Sequence, residues 1–273
     1  MTTPEGEWHV AQARAKFPSS AADLLRARTL EDDYRHLAQA LHSGQRVLDV
    51  GCGTGSMTAG MAQLVAPVTV LGVDSNPVLL AEARQMYTNT VNLSFEQRDV
   101  YTLGFDSVFG VVVAARVLQW LSRPAEAIRQ MVAALAPGGR LFVLDYNHLK
   151  AELTPPPPPE MRHFRERYLA WRSDAGMDNT LADHLSSHFL DAGLRDIEVV
   201  AQHETVHRAD PDFERRIRLW GEVADTRGRQ VVADGYVSEA ERQAAVTTFR
   251  RWMADEAQAQ TFYLLSVTGT KPS

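Results

Sequence analysis

The stretch Arg46-Val47-Leu48-Asp49-Val50-Gly51-Cys52-Gly53-Thr54-Gly55-Ser56 decides the fold: an apolar, β-branched run breaks into alternating glycines and leaves through a helix that begins near Ser56. Residues without a Cβ let bare main chain approach a ligand at a helix N-terminus, where unpaired N–H groups point outward. The spacing separates two kinds of ligand. A dinucleotide fingerprint, G-x-G-x-x-G, puts its third glycine where this chain has Ser56, and the glycines here stand at 51, 53 and 55.

Outward from this bend, strand-like and helix-like segments alternate from residue 46 to about 145, the pattern of a parallel sheet covered by helices on both faces. Residues 46–50 read as the first strand, and Met57, Met61, Leu64 and Val65 as the apolar stripe of the following helix. Residues 68–73 read as the second strand. Asp74-Ser75-Asn76-Pro77 then offers capping side chains and a proline for the first helical turn, ahead of a buried face of Leu79, Leu80, Ala83, Met86 and Tyr87. A third strand falls at 93–97, and the continuous apolar run 109–114 suits a central strand buried on both faces. Ile128, Met131, Val132 and Leu135 mark one more helix, which Pro137-Gly138-Gly139 stops before a fifth strand at 141–144.

The flanks differ. Residues 1–44 carry no strand pattern, and Leu24, Leu25, Leu30, Tyr34, Leu37 and Leu41 among many charges predict a packed helix pair over 21–41. Pro155 to Pro159 form an unbroken proline run that suits neither a helix nor a sheet interior, so it reads as a stiff loop. Beyond it the chain is mainly helical. A helix over 181–192 ends at Gly193, a strand follows at 197–200, and Phe213, Ile217, Trp220 and Ala224 form a further stripe. Ser238 with Glu241 matches a capping box opening a helix that carries Ala245, Phe249, Trp252 and Met253, and residues 261–270 read as the last strand.

At 273 residues, 45% hydrophobic and 23% charged, the chain suits one α/β domain with an accessory region. A net charge of −6 argues against a nucleic-acid partner, which calls for a basic face. The opening Met1-Thr2-Thr3-Pro4-Glu5-Gly6-Glu7 lacks the basic-then-apolar order of a signal peptide, and no apolar run reaches the roughly 20 residues of a membrane span, so a cytoplasmic protein without membrane contact is expected. The single cysteine, Cys52, has no partner for an internal disulfide and reads as a small buried filler.

Together these positions resemble the class I methyltransferases that use S-adenosylmethionine, among them the ubiquinone/menaquinone, trans-aconitate and malonyl-acyl-carrier methyltransferases. The resemblance covers residues 46–145 in order: the glycine bend with Asp49 ahead of it, Asp74 ending the second strand, Asp99-Val100 after the third, Ala114-Ala115-Arg116 leaving the fourth, and Leu135-Ala136-Pro137-Gly138-Gly139. It implies a Rossmann-like α/β fold with a mostly parallel seven-stranded sheet, organised as a helical lid over 1–44, a cofactor-binding core over 45–150, an acceptor-binding region over 151–260 and a final core strand. By the same resemblance Asp49, Gly51, Gly53, Thr54 and Gly55 cradle the amino-acid tail of S-adenosylmethionine. Asp74, with Ser75 and Asn76, takes the ribose hydroxyls, and Asp99 and Val100 take the adenine. Ala115, Arg116 and Gln119 lie toward the methionine end, and Arg28 reaches its carboxylate.

A sulfonium carries its own leaving group, so a general base is needed only for an acceptor that arrives protonated. His148 and Tyr146, just past the fifth strand, are the candidates. Leu118-Gln119-Trp120 is similar to the triplet of carboxylate-methylating relatives, and Trp171-Arg172, Trp220, Arg215, Arg216 and Arg218 offer a frame for an aromatic or anionic acceptor. His184 and His188 share a helical face, but no third ligand accompanies them and no metal is expected. Ala114-Ala115-Arg116-Val117 stands where amino-methylating enzymes for adenine and glutamine carry an acidic or Asn residue followed by Pro-Pro-aromatic. The expectation is methyl transfer to an oxygen or nitrogen of a small-molecule acceptor, a carboxylate among them. A nicotinamide-dinucleotide oxidoreductase and a non-catalytic S-adenosylmethionine-binding protein are the alternatives, and the oligomeric state is left open.

Overall fold

The computed structural model describes residues 4–15 and 25–273, and ahead of the sheet lie α1 (Pro4–Ala15), α2 (Leu30–Asp33) and α3 (Arg35–Ala40). The alternating core follows as β1 (Val47–Val50), α4 (Ser56–Val65), β2 (Val70–Asp74), α5 (Pro77–Met86), β3 (Leu93–Gln97), β4 (Phe109–Ala115), α6 (Pro124–Ala134) and β5 (Leu135–Thr154). After it come α7 (Pro159–Ser173), α8 (Leu181–Asp191), β6 (Arg195–Ala201), β7 (Glu204–His207), α9 (Phe213–Ile217), α10 (Leu219–Asp225), α11 (Gly228–Ala233), α12 (Glu239–Asp255) and β8 (Ala259–Thr270). No helix among the described residues is long and apolar enough to cross a membrane.

The strands lie in the order β3-β2-β1-β4-β5-β8-β6, with β7 paired to β8. The first five are parallel, and β8 runs antiparallel to β5, β6 and β7. Val47 sits between Val70 and Val111, and Asp49 between Gly72 and Val113. The chain leaves β1 toward β2 on one side and returns to β4 on the other, so a crevice opens beyond their carboxyl ends.

Side chains alternate across the sheet and build two apolar layers. On one face Val47, Val111, Val113, Phe142 and Leu144 meet Met61 and Val65 of α4 and Leu30, Tyr34 and Leu37 of the preceding helices, and this layer continues into Phe164, Trp171, Phe249 and Trp252. On the other, Leu48, Val112, Ala114, Leu141 and Val143 meet Ile128 and Met131 of α6 and Leu185 and Phe189 of α8. Several local expectations hold: Asn76 caps α5, accepting from Val78 N at 3.0 Å, with Pro77 in the first turn, and the Ser238–Glu241 capping box closes reciprocally.

Others need correction. The sheet has eight strands, not seven, because Glu204-Thr205-Val206-His207 forms β7, although only Val206 of the four is buried. Its pairing is made by main chain, which a hydrophobic pattern does not report. β5 extends far past 141–144, to 20 residues. Pro137-Gly138-Gly139 lies inside it as an irregularity between the pairs Phe109–Leu135 and Val111–Arg140, and its far end follows β8 to the pair Thr154–Ala259. Leu64 and Met86, assigned to buried faces, are 37% and 57% exposed, since each falls outside the contact line of its helix. Pro159 joins a helix after all, at the first turn of α7, where a missing N–H costs nothing. The helix pair expected over 21–41 falls partly outside the described residues, which resume at 25; α2 and α3 form its later part.

Candidate functional site

The first bend is held from within. Gly51, Gly53 and Gly55 have φ of +76°, +55° and +77°, the left-handed region that suits glycine. A Cβ on Gly51 would stand 2.4 Å from Val117 Cγ2, and one on Gly55 would stand 2.6 Å from Phe95 Cζ, so at these two positions the vacant space is used by protein packing. Asp74 fastens the bend: its Oδ2 accepts from Gly53 N at 2.9 Å and its Oδ1 from Asn76 N at 2.8 Å. Gly55, at the N-cap of α4, offers no side chain, so no side-chain acceptor at the N-cap takes up the first N–H groups of that helix. Asp49 lies beneath, buried, accepting from Thr58 Oγ1 at 2.6 Å; burial pushes its pKa up to about 6.

Beyond the bend lies a cavity of about 730 Å³. At its sheet end it is lined by Gly51, Gly53, Thr54, Asp74, Ser75, Asn76, Asp99, Val100 and Arg28. Asp99 caps a short 3₁₀ turn by accepting from Tyr101 N at 2.8 Å. Burial and the neighbouring Arg116 lower the pKa of Arg28. The other end is an aromatic chamber walled by Trp120, Tyr146, His148, Tyr168, Trp220 and Phe262. α1 closes over it with Ala11, Gln12 and Ala15; Arg14 anchors that helix, hydrogen-bonding Trp171 O and, at 3.1 Å, Asp234 Oδ2.

Between the two ends stands Arg116, at the exit of β4 and with φ of +61°, an unusual conformation for a bulky residue. Its Nε donates to Tyr146 Oη at 2.9 Å, and its Nη2 donates to Asp33 O at 3.1 Å and to Glu204 of β7. Burial opposes the charge on both members of the Arg116–Glu204 pair. Their mutual attraction, with Tyr146 and Asp33 acting on the arginine and Arg28 on the glutamate, outweighs it, keeping the arginine pKa raised and the glutamate pKa lowered. Behind the chamber, Asp145 accepts from Gln119 N at 3.1 Å and Tyr146 N at 3.0 Å, and burial pushes its pKa up to about 7.

His148 stacks on Tyr146 with ring centroids 5.2 Å apart. The network assigns its tautomer. Gln119 Nε2 donates to Arg116 O at 3.2 Å, which turns Gln119 Oε1 toward His148 Nε2 at 2.7 Å; that ring nitrogen therefore carries the hydrogen and Nδ1 keeps its lone pair. Burial first, then Arg172 and Arg165, holds the His148 pKa well below its ordinary value, so the ring is neutral at physiological pH.

Most of the candidate residues read from the sequence meet on this cavity, Ala115, Arg116, Gln119, Tyr146 and His148 included. Asp49 and Gly55 sit behind its wall. Trp220 lines the chamber, whereas Arg215 pairs with Asp212 and Arg218 with Glu222, at 3.0 and 3.2 Å, and neither arginine is a lining residue. No group of three or more His, Cys, Asp or Glu that could hold a metal occurs among the described residues; His184 pairs with Asp178 at 2.6 Å. The sequence reading missed Glu204, Arg165 and Arg227. Glu204 meets Arg116 across 88 positions, and no local spacing signals that.

Comparison with known proteins agrees with this geometry. Residues 41–169 match the family model of a methyltransferase domain. The chain is 38% identical over 98 residues to trans-aconitate 2-methyltransferase of Methylobacterium nodulans, covering 36% of this chain and 37% of that protein. It is 37% identical over 118 residues to the ubiquinone/menaquinone biosynthesis C-methyltransferase of Pseudomonas aeruginosa, covering 41% and 46%. It thus spans less than half the length of these curated relatives. Among solved structures, phosphoethanolamine N-methyltransferase 2 of Haemonchus contortus, in complex with phosphomonomethylethanolamine and S-adenosylhomocysteine, superposes with a TM-score of 0.55 at 18% identity, covering 87% of this chain and 53% of that one. With its glycine bend, switch-point crevice and matched domain, the chain is similar over residues 41–169 to the class I S-adenosylmethionine-dependent methyltransferases.

Proposed function

We propose that this protein transfers a methyl group from S-adenosylmethionine to an oxygen or nitrogen of a small molecule. The observation that carries the reading is one cavity with two unlike ends: a polar crevice at the switch point of the sheet and an aromatic chamber beside it, with Arg116 between. When bound, S-adenosylmethionine supplies a methyl group on a sulfonium whose departure leaves a neutral thioether.

This chain's residues supply the rest. The N-terminus of α4 and the cation of Arg28 fit the carboxylate of an amino-acid tail beside Gly51, Gly53 and Thr54. Asp74 and Asp99 fit ribose hydroxyls and an exocyclic amine, because a carboxylate oxygen that already accepts one hydrogen bond has capacity for another. Residues 1–44 and the helices of 151–260 act as lid and acceptor wall, excluding water and fixing the acceptor's approach. His148, neutral and with Nδ1 unprotonated, receives the proton of an acceptor that arrives protonated, and Tyr146 orients the imidazole by stacking.

Incubation with methyl-labelled S-adenosylmethionine and fractionated metabolite extract tests this reading. Label in a small molecule together with S-adenosylhomocysteine formation is the expected result. Tight S-adenosylhomocysteine binding with no transfer across broad extracts would mark a binding protein that only keeps the fold.

A further inference from the structure

The aromatic chamber has an uneven distribution of charge. Among the described residues that line the cavity, the carboxylates are Asp74 and Asp99, both at the sheet end, whereas the described lining of the chamber carries Arg116, balanced from outside the lining by Glu204, and Arg227. Two more arginines stand directly behind its wall. Arg165 donates from Nη2 to His148 O and Ala151 O, each at 2.9 Å, and Arg172 donates to Asn179 Oδ1 at 2.8 Å and Gln119 O at 2.7 Å. All four acceptors are neutral oxygens, and neither arginine makes an ion pair among the described residues. Burial alone lowers the pKa of Arg165, with no carboxylate acting against it. Asp145 is within electrostatic reach of Arg172, but burial leaves it only partly ionised near neutral pH. A buried guanidinium without a counter-ion is costly, and a ligand that supplies the countercharge removes that cost.

The rings point the same way. Aromatic walls attract cationic ligands through their faces, yet several of these rings already have a guanidinium group beside them. Trp120 lies between Arg227 at 4.0 Å and Arg172 at 4.6 Å, Arg165 lies 5.0 Å from the centre of Trp220, and Arg116 lies 5.8 Å from that of Tyr146. An ammonium acceptor would meet rings already stacked with guanidinium groups and a field of its own sign. Moreover, two cavity-lining residues each keep a buried donor with no acceptor among the described residues, Arg116 Nη1 and Trp220 Nε1. An oxygen-bearing anion satisfies such donors, and an amine does not.

We infer that the chamber takes a planar organic anion, a carboxylate on an unsaturated or aromatic frame, and excludes amines. The inference rests on the reading of the chamber as the acceptor site and specifies what that site accepts. The test uses three probes of one skeleton that differ in charge, namely trans-cinnamate, trans-cinnamamide and cinnamylamine. Each is titrated by tryptophan fluorescence into the protein with and without saturating S-adenosylhomocysteine, in low salt at pH 7.5.

Cinnamate is expected to bind at least tenfold more tightly than the amide and than the amine in both states, the advantage shrinking as salt rises. In Arg165→Gln, checked for an unchanged unfolding midpoint, that advantage should fall severalfold while amide binding stays the same. Equal or tighter binding of the amine, or no binding of any probe, overturns the inference. Because the series is also run without S-adenosylhomocysteine, a failure of that compound to bind counts against the cofactor reading alone, and the ranking of the probes still decides the charge of the chamber.

Discussion

At the scale of single residues, Asp74 both fastens the first bend and faces the crevice, so its two duties are separable by substitution. Asp74→Ala should weaken S-adenosylhomocysteine binding by about 1–3 kcal/mol in calorimetry, with Asp74→Asn between it and the wild type; unchanged affinity in the alanine variant removes Asp74 from the site. Asp49 gives a pH signature. Burial raises its folded pKa from 3.8 to about 6, so the stability it contributes is full below the unfolded value and is lost as pH rises through the folded one. Asp49→Asn still accepts from Thr58 but does not ionise. Relative to wild type, its urea-unfolding stability should rise by up to about 3 kcal/mol between pH 4 and pH 7.5, and a pH-independent difference would contradict this. Asp74 and Asp99 were legible in the sequence because the first ends a strand and the second closely follows one. Glu204, Arg165 and the hydrogen-bonded tautomer of His148 were not, because their partners come from distant parts of the chain and leave no periodic mark.

At the scale of elements, the glycine bend is a packing joint as much as a binding loop. Gly51→Ala combines an unfavourable left-handed backbone, about 1–2 kcal/mol, with a collision against Val117. The double variant with Val117→Ala should recover the collision and keep only the backbone cost. Urea unfolding of the single and double variants checks this, and equal losses in both would show that Val117 is not the obstacle. Strands whose apolar residues alternate or run together, such as β1 and β4, and helices with explicit caps, such as α5 and α12, were legible for that reason. β7 was not, since backbone pairing to β8 holds it while three of its four side chains stay out of the core. The length of β5 was hidden likewise: proline and glycine at 137–139 signal a stop, but the neighbouring strand absorbs them as an irregularity.

At the scale of the molecule, one cavity spans residues from α1, the sheet edge, β5, α7, α10 and β8, so enclosure depends on contacts between distant segments. Arg14 fixes α1 to Asp234 and Trp171 and lies 4.7 Å from the Trp171 ring, while Arg227 donates to its carbonyl at 2.7 Å. Arg14→Ala should free that helix: proteolysis within residues 4–15 should quicken, and S-adenosylhomocysteine should dissociate about tenfold faster, the equivalent of one charge-assisted hydrogen bond of about 1.4 kcal/mol. Unaltered cleavage and dissociation would show that α1 does not retain the ligand. The central claim, that the switch-point crevice is built for a sulfonium nucleoside and not a dinucleotide, is tested most directly by calorimetric titration of the intact protein with S-adenosylhomocysteine and, separately, with NAD. Saturable one-to-one binding of the first and no binding of the second is the predicted result; binding of NAD without S-adenosylhomocysteine would contradict it.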